Sequence, residues 1–231
     1  MAVEQMALQT AIRPPLDRAE LSDRSAAFAY AVVKRAIDVV GAIVGLLMLL
    51  PLFALIGLAI WLDSGWPAFY RGERVGRQGR TFKVLKFRSM RRCAGANPHV
   101  AFVRSLMRDA EACAVYKVPG DPRITRVGAL LRRTSLDEFP QLWNVLRGDM
   151  SLVGPRPDVD YAVTDYADWM RDRLAVKPGM TGLWQVSGRS RLSLLDMYRL
   201  DVAYVAEASL RLDLSILLRT VPVVLGRDGA A

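Results

Sequence analysis

Two adjacent acids, Asp137 and Glu138, lie in the part of the sequence that is richest in groups able to act on phosphates. The basic and stiffening residues around them are Arg132, Arg133, Arg147, Pro155, Arg156 and Pro157. Guanidinium groups bind phosphate oxygens in pairs, whereas ionised carboxylates bind Mg²⁺ or attack phosphorus. Because nearby cations lower the pKa of a carboxyl group, we expect both acids to be ionised at neutral pH. The stretch therefore predicts Mg²⁺-dependent phosphoryl chemistry.

The same two acids can also be interpreted as the cap of a helix. Apolar residues recur after them at helical spacing, at Phe139, Leu142, Trp143 and Leu146. Gly148 predicts the end of this helix, and its N-cap is either Ser135 or Asp137. Acids at a helix start commonly do no more than cap it, but the surrounding arginines favour catalysis. Adjacent helical side chains diverge by about 100°, so one acid can attack while the other binds the metal.

A long apolar segment precedes this region. Residues 39–62 are 24 consecutive residues without a charge. As a straight helix they would measure about 36 Å, which is enough to cross a hydrocarbon core of about 30 Å. A single transmembrane helix is therefore one interpretation of the segment.

Two features favour a re-entrant helix that enters one leaflet and returns. Pro51 lies near the middle of the segment and disturbs a straight helix, although spanning helices tolerate proline. Both flanks are basic, with Lys34 and Arg35 before the segment and nine Lys or Arg between residues 71 and 92 after it. Such flanks stay in the cytoplasm. We therefore expect a helix, a break at Pro51 and a second helix, with both ends on the cytoplasmic face.

The remaining sequence predicts a mainly α domain with a few short strands, an α+β fold. Residues 81–90 alternate between apolar and basic side chains as a strand does, and residues 93–118 have helical periodicity. The N-terminal residues show no signal-peptide pattern. The expected organisation is a disordered cytosolic leader (1–27), the re-entrant membrane segment (28–64), a cytosolic catalytic domain packed on the membrane surface (65–226) and a tail (227–231).

An apolar stripe near the C-terminus has two interpretations. It consists of Leu210, Leu214, Leu217, Leu218 and Val221, with basic and polar residues opposite. The stripe either packs in the core or forms an amphipathic helix lying in the membrane interface. Asp213 lies within it, and a carboxylate there needs an arginine or a metal as partner.

Several longer motifs together carry a family resemblance. They are KRAID (34–38), KFRSM (86–90), LRRTSLDEFPQLWNVLRGDMSLVGPRP (131–157), KPGMTGLWQVSGR (177–189) and LDLSILLRT (212–220). On these motifs the chain resembles the bacterial sugar transferase family of monotopic polyprenol-phosphate phosphoglycosyl transferases, especially the small members that initiate exopolysaccharide synthesis. The resemblance extends from residue 34 to about residue 225.

The resemblance implies a two-step reaction at the cytoplasmic face of the bacterial inner membrane. Asp137 would attack the β-phosphate of a UDP-sugar and release UMP, and undecaprenyl phosphate would then take the phosphosugar. Glu138 would bind Mg²⁺ beside the nucleophile, with Asp137 as a second ligand. The resemblance does not indicate which sugar is transferred.

The resemblance also implies a set of binding residues. Those expected to handle the substrates are Lys86, Arg88, Arg132, Pro155, Arg156, Pro157 and Asp213. In relatives a serine precedes the proline of the membrane helix, whereas Leu50 precedes Pro51 here. Membrane lipids are expected partners, and an apolar membrane-facing surface would allow a homodimer.

Two functions from other classes remain as alternatives. The net charge of +9 predicts an anionic partner, so the chain could be a membrane-tethered basic binding protein. It could also be another Mg²⁺-dependent membrane enzyme of phosphoryl chemistry, such as a phosphatase. No nucleic-acid-binding signature is present, so nucleic acid is not an expected partner.

Overall fold

The elements of the fold are mainly helices with a few short strands, as predicted. The structure, a computed structural model, describes residues 24–91 and 121–226. The helices are α1 (Arg24–Ser64), α2 (Arg126–Thr134), α3 (Leu142–Arg147), α4 (Asp160–Thr164), α5 (Leu183–Ser187), α6 (Leu194–Glu207) and α7 (Leu210–Leu225). The strands are β1 (Phe69–Val75), β2 (Thr81–Phe87), β3 (Ser151–Val153) and β4 (Gly179–Thr181). The helical region predicted at 93–118 and the tail lie outside the described residues, as does most of the predicted leader.

The apolar segment forms the long helix α1. It has 41 residues, or about 61 Å of helix, and its length and composition would allow it to cross a membrane. It begins at Arg24, four residues before the predicted start of the segment. The helix continues through Pro51, where the sequence predicts a break. Proline removes one backbone hydrogen bond, but its fixed φ is compatible with a helix. Packing of Ala42 before the proline and of Ile60 after it holds the helix against the rest of the chain.

The N-terminal flank of α1 is fixed to the rest of the chain by two charged side chains. Arg35 donates to the last carbonyl groups of α3, at 2.6 Å and 2.8 Å. Asp38 is buried and accepts hydrogen bonds from Ser151 Oγ at 3.0 Å and from the Leu152 amide at 2.8 Å. Both residues belong to the KRAID motif, so this motif fixes the position of the helix.

The C-terminal flank of α1 is fixed to the same body. Asp63 accepts a hydrogen bond from the backbone amide of Val127, at the start of α2, at 3.1 Å. Arg88 follows β2 and donates from Nη2 to Ser64 and to the carbonyl group of Gly65. One folded body therefore contacts both ends of the apolar segment.

Between these flanks, α1 has a packed face and an open face. Ala42 packs with Val84 and Leu142, and Ile60 packs with Phe87. The packed face includes Gly41 and Gly45, where an added Cβ would lie 2.8 Å and 2.9 Å from leucine side chains of the body. The exposed residues of the other face include Val40, Val44, Leu47, Met48, Leu55, Leu58 and Leu62. The described residues thus cover the helix on one side only.

A two-stranded hairpin lies against α1. Strand β2 pairs antiparallel with β1, with Lys86 opposite Tyr70. The strand predicted at 81–90 is confirmed as far as Phe87, whereas β1 lies in a basic, glycine-rich stretch for which the sequence indicated no strand. Asn144 ties the hairpin to α3, since its side chain bonds the backbone of Lys83 at 2.8 Å and of Leu85 at 2.9 Å.

The C-terminal helices pack around the parallel pair β3–β4. Val153, Leu200, Tyr204 and Ile216 are buried together. Most of the predicted apolar stripe of α7 is nevertheless exposed, at Leu210, Leu214, Leu218 and Val221. The core-packing interpretation is therefore wrong for these residues, because a neighbouring face, which includes Ile216, faces the core.

We predict that Asp38→Ala lowers the free energy of unfolding by about 1–3 kcal/mol, since the donors of Ser151 and Leu152 would lose their acceptor. Denaturant unfolding in detergent measures the change. As a control, Asp168→Ala removes an exposed acid and should change stability by less than about 0.5 kcal/mol. Equal midpoints for Asp38→Ala and the wild type would show that this anchor does not stabilise the fold.

Candidate active site

Glu138 is held by two cations that come from different parts of the chain. Lys86, near the end of β2, donates from Nζ to Oε1 at 2.8 Å. Arg156, in the loop after β3, donates from Nη2 to Oε1 at 2.5 Å and from Nη1 to Oε2 at 2.9 Å. This paired geometry is the one in which an arginine binds a carboxylate most strongly. Three of the predicted site residues therefore meet at one point.

Asp137 lies beside this ion cluster without an ion pair of its own. Its carboxylate has no hydrogen bond or ion pair with any residue that the structure describes. Burial, and then the negative charge of Glu138, raise the pKa of Asp137 above its ordinary value, against the attraction of Lys86 and the arginines nearby. The surrounding cations do lower this pKa, as expected, but burial and Glu138 outweigh them, so the expected net lowering is wrong for Asp137.

The pKa of Glu138 moves in the opposite direction. Burial opposes its ionisation, but Arg156 and Lys86 hold the pKa of this carboxyl well below its usual value. The expectation of an ionised acid is confirmed here. Two neighbouring carboxyl groups whose pKa values are driven apart are typical of sites where the two groups have different tasks.

The backbone before Asp137 makes a sharp turn out of α2. Ser135 has a left-handed conformation with φ of 58°, which ends α2 and starts the 3-10 segment Leu136–Gln141. Ser135 is the N-cap of this segment, one of the two predicted positions, but its side chain forms no capping hydrogen bond. Gly148 ends α3 with φ of 87°, as predicted. Arg132, in the last turn of α2, contributes positive charge near Asp137.

The Pro155–Arg156–Pro157 loop is fixed by backbone hydrogen bonds on both sides. Gly154 donates to the carbonyl group of Thr181 at 2.9 Å, and Gly179 donates to that of Pro155 at 2.8 Å. After the loop, the carbonyl group of Asp158 accepts from the amide of Val75 at 2.9 Å. The loop is therefore a stiff support for the Arg156 side chain.

Arg88, predicted to bind substrate, has its described hydrogen bonds elsewhere. The side chain is buried, and Nη2 binds the end of α1 at Ser64 and Gly65. Its Nε is buried without a partner among the described residues. The contacts of Arg88 therefore fix the end of α1, and none of them reaches the acid pair.

Asp213 is likewise separate from the contacts of the acid pair. It accepts hydrogen bonds from Tyr204 at 2.6 Å, from Tyr30 at 3.0 Å and from Lys34 at 2.7 Å. The expectation of a charged partner is confirmed, but the partner is a lysine of α1 rather than an arginine or a metal. Asp213 therefore connects α7 to the beginning of the apolar helix.

Arg173 has a contact with the site that the sequence did not predict. It lies in the 3-10 segment Asp168–Ala175 and donates from Nη2 to the backbone oxygen of Arg156 at 3.0 Å. No local pattern marks this residue, because its carboxylate partner Asp201 lies 28 residues further along the chain.

The two acids could together hold a Mg²⁺ ion. No group of three or more metal-ligating side chains occurs among the residues that the structure describes. Mg²⁺ is commonly bound by one or two carboxylates together with substrate phosphates. Within the described part of the chain, the oxygens of Asp137 have no partner and Glu138 Oε2 accepts only from Arg156, so each acid has a coordination position left. The donor set fits Mg²⁺ if a diphosphate supplies further oxygens.

Comparisons with known proteins match most of the chain. The UDP-galactose-lipid carrier transferase of Erwinia amylovora is 47% identical over 202 residues, which cover 86% of this chain and 41% of that protein. The undecaprenyl-phosphate galactose phosphotransferase of Salmonella typhimurium is 44% identical over 214 residues, 91% of this chain and 43% of that protein. The chain thus spans about two fifths of these two relatives.

A shorter relative is matched over most of its length. The exopolysaccharide production protein ExoY of Rhizobium meliloti is 44% identical over 193 residues, which cover 83% of this chain and 84% of that protein. The family model described as bacterial sugar transferase matches residues 29–227, a range that includes α1, the acid pair and α7. The chain belongs to the bacterial sugar transferase family.

Proposed function

We propose that this chain transfers a sugar 1-phosphate from a UDP-sugar to undecaprenyl phosphate through a phosphosugar carried on Asp137, with release of UMP. The observation that carries the proposal is the carboxylate of Asp137, which has no hydrogen-bond or ion-pair partner among the described residues, beside a Glu138 whose charge is matched by Lys86 and Arg156. The names of relatives, which include a galactose phosphotransferase and a glucose-1-phosphate transferase acting on undecaprenyl phosphate, support these substrates.

In the first step, an oxygen of Asp137 forms a bond to the β-phosphorus of the UDP-sugar. The bond from this phosphorus to the oxygen bridging the two phosphates breaks, and UMP leaves with the electron pair. Asp137 suits this role because carboxylates can act as nucleophiles at phosphorus, and because it has no ion pair with a described residue that must first be broken. Glu138 is less suited to attack phosphorus, because its hydrogen bonds with Lys86 and Arg156 would first have to break.

In the second step, a phosphate oxygen of undecaprenyl phosphate attacks the same phosphorus. The bond to Asp137 breaks, and its electron pair restores the carboxylate. Lys86, Arg132 and Arg156 carry the positive charge that reduces repulsion between the anionic reactants. A Mg²⁺ ion on Asp137 and Glu138 would further neutralise the diphosphate.

The lipid acceptor requires the site to lie at a membrane, and we propose that α1 enters and leaves on the cytoplasmic face of the inner membrane. Asp38 and Asp63, at opposite ends of the apolar segment, bond the same folded body. A helix that crossed the bilayer would carry one of these ends to the other side. The exposed leucines of α7 supply a second apolar surface for the membrane interface.

A donor panel tests the activity. Purified protein in detergent is incubated with Mg²⁺, undecaprenyl phosphate and a series of UDP-sugars that includes UDP-galactose and UDP-glucose, and UMP and lipid product are measured. We expect one donor or a few donors to give both products, and Asp137→Asn to lower the rate by at least about 10³-fold.

Asp160→Asn is the matched control, because Asp160 is an exposed acid that should leave the rate unchanged. Full activity in Asp137→Asn would overturn the mechanism. Formation of free sugar phosphate without any lipid acceptor would instead indicate a phosphatase.

The opposite pKa shifts predict opposite effects on stability. Near neutral pH, Asp137→Asn should raise the melting temperature, since it removes a carboxylate whose ionisation is disfavoured by burial and by Glu138. Glu138→Gln should lower it, because Lys86 and Arg156 would lose their anion. Melting curves of the two variants and the wild type, followed by tryptophan fluorescence, measure both effects.

The pH dependence has a definite sign for each acid. The folded-state pKa of Asp137 is raised, so its ionisation lowers stability as pH rises from the unfolded pKa through the folded one. The increase in melting temperature of Asp137→Asn over the wild type should therefore vanish near pH 4, where the carboxyl group is protonated in the folded wild type. The folded-state pKa of Glu138 is lowered, so its contribution is present above the unfolded pKa and is lost as pH falls through the folded one. A lower melting temperature for Asp137→Asn near neutral pH would contradict the assignment.

Cysteine labelling tests the membrane arrangement. Phe28→Cys and Trp66→Cys place single thiols at exposed positions on either side of the apolar segment, in a chain whose own Cys93 and Cys113 are replaced by serine. A membrane-impermeant maleimide should label both positions in inside-out vesicles and neither in intact spheroplasts. Labelling of one position from each side would show that α1 crosses the membrane.

A further inference from the structure

Arg173 is the centre of a buried ion cluster behind the active-site loop. It donates from Nε and Nη2 to Asp201 Oδ2, at 3.0 Å and 2.7 Å, and forms an ion pair with Asp158 Oδ2 at 3.5 Å. Its guanidinium lies 4.2 Å from the ring centroid of Tyr198. Arg173 and Asp201 are buried in the core.

Arg173 connects this cluster directly to the backbone of the Pro155–Arg156–Pro157 loop. The Nη2 group that binds Asp201 also donates to the backbone oxygen of Arg156 at 3.0 Å. We propose that Arg173 is a positioning residue. It fixes the backbone of Arg156 so that the Arg156 guanidinium binds Glu138 and not Asp137.

The remaining contacts of the cluster prevent Arg173 from moving. Asp158 accepts hydrogen bonds from Tyr166 at 3.0 Å and from Tyr198 at 2.5 Å, and Arg173 donates to the hydroxyl group of Tyr166. Because Asp158 follows Pro157 in the chain, the cluster holds the loop from behind as well as through the Arg156 carbonyl group. These contacts join the 3-10 segment Asp168–Ala175, α6 and the loop.

Stability alone does not explain this arrangement. Buried ion pairs are costly to desolvate and are often no better than apolar packing. Asp201 Oδ1 is also buried without a partner among the described residues, so the Asp201 carboxylate is turned toward Arg173 and leaves one of its own oxygens unsatisfied. An arrangement that leaves such a group unsatisfied fits a demand for exact placement of Arg173.

The first test is a cycle of melting temperatures, which does not depend on the proposed function. The coupling between Arg156→Ala and Glu138→Gln is measured in two backgrounds, the otherwise wild-type protein and Arg173→Lys. Lysine is chosen because it keeps the positive charge but cannot bind both Asp201 and the Arg156 carbonyl group as the forked guanidinium does. We expect the coupling to fall by at least about half in Arg173→Lys. An undiminished coupling would overturn the proposal, even if Arg173→Lys melts at a lower temperature.

Two further variants keep this test decisive. Ile216→Ala truncates a core residue outside the cluster and should lower the melting temperature while leaving the coupling intact; a loss of coupling here would mean that general loosening explains the effect. If Arg173→Lys does not fold, Asp201→Asn weakens the anchor of Arg173 and should reduce the coupling in the same way. An unchanged coupling in Asp201→Asn would then count against the proposal.

A second cycle uses activity and therefore rests on the proposed function. In the otherwise wild-type protein, Arg173→Lys should lower kcat/KM by about tenfold or more. In the Arg156→Ala background the same substitution should lower it by less than about twofold. Equal losses in the two backgrounds would show that Arg173 does not act through Arg156. If the wild type uses no UDP-sugar, the proposed function fails while the melting cycle still decides the role of Arg173.

Discussion

The arrangement of the site depends on how two adjacent carboxylates share the cations around them. Glu138 takes the paired hydrogen bonds of Arg156 and the ammonium group of Lys86. Asp137 is left with burial and with the repulsion of its neighbour, which raise its pKa. The ionised form of Asp137 is therefore disfavoured, and its oxygens have no partner among the described residues. The hairpin that presents Lys86 and the stiff loop that presents Arg156 both serve this division between the acids.

The same body that builds the site also holds the apolar helix. Arg35 and Asp38 fix one flank of α1, and Asp63 with Arg88 fixes the other. The outer face of α1 and the exposed leucines of α7 remain uncovered by the described residues. The charged residues at both ends of the apolar segment thus work as structural anchors, and through β2 they keep the acid pair close to the helix.

The sequence could predict what depends on local patterns and residue types. The acid pair, Lys86, Arg156, strand β2 and the stop at Gly148 follow from spacing, charge and family resemblance. The sequence could not predict the contacts of Arg88, the pairing of Asp213 with Lys34 or the role of Arg173, because their partners lie far away in the chain. The residue pattern also predicts a lowered pKa for Asp137, whereas burial, which local composition does not reveal, and then the charge of Glu138 raise it. The composition of β1 does not indicate a strand, because its pairing with β2 rather than its own residues makes it one.

The most direct test of the account is the intact mass of the protein after incubation with its UDP-sugar and Mg²⁺ in the absence of lipid. We expect a mass increase of one sugar phosphate, located by peptide mapping on Asp137 and removed when undecaprenyl phosphate is added. Asp137→Asn should show no increase. An adduct that persists in Asp137→Asn, or UMP formation that occurs only with both substrates present and without any adduct, would contradict it.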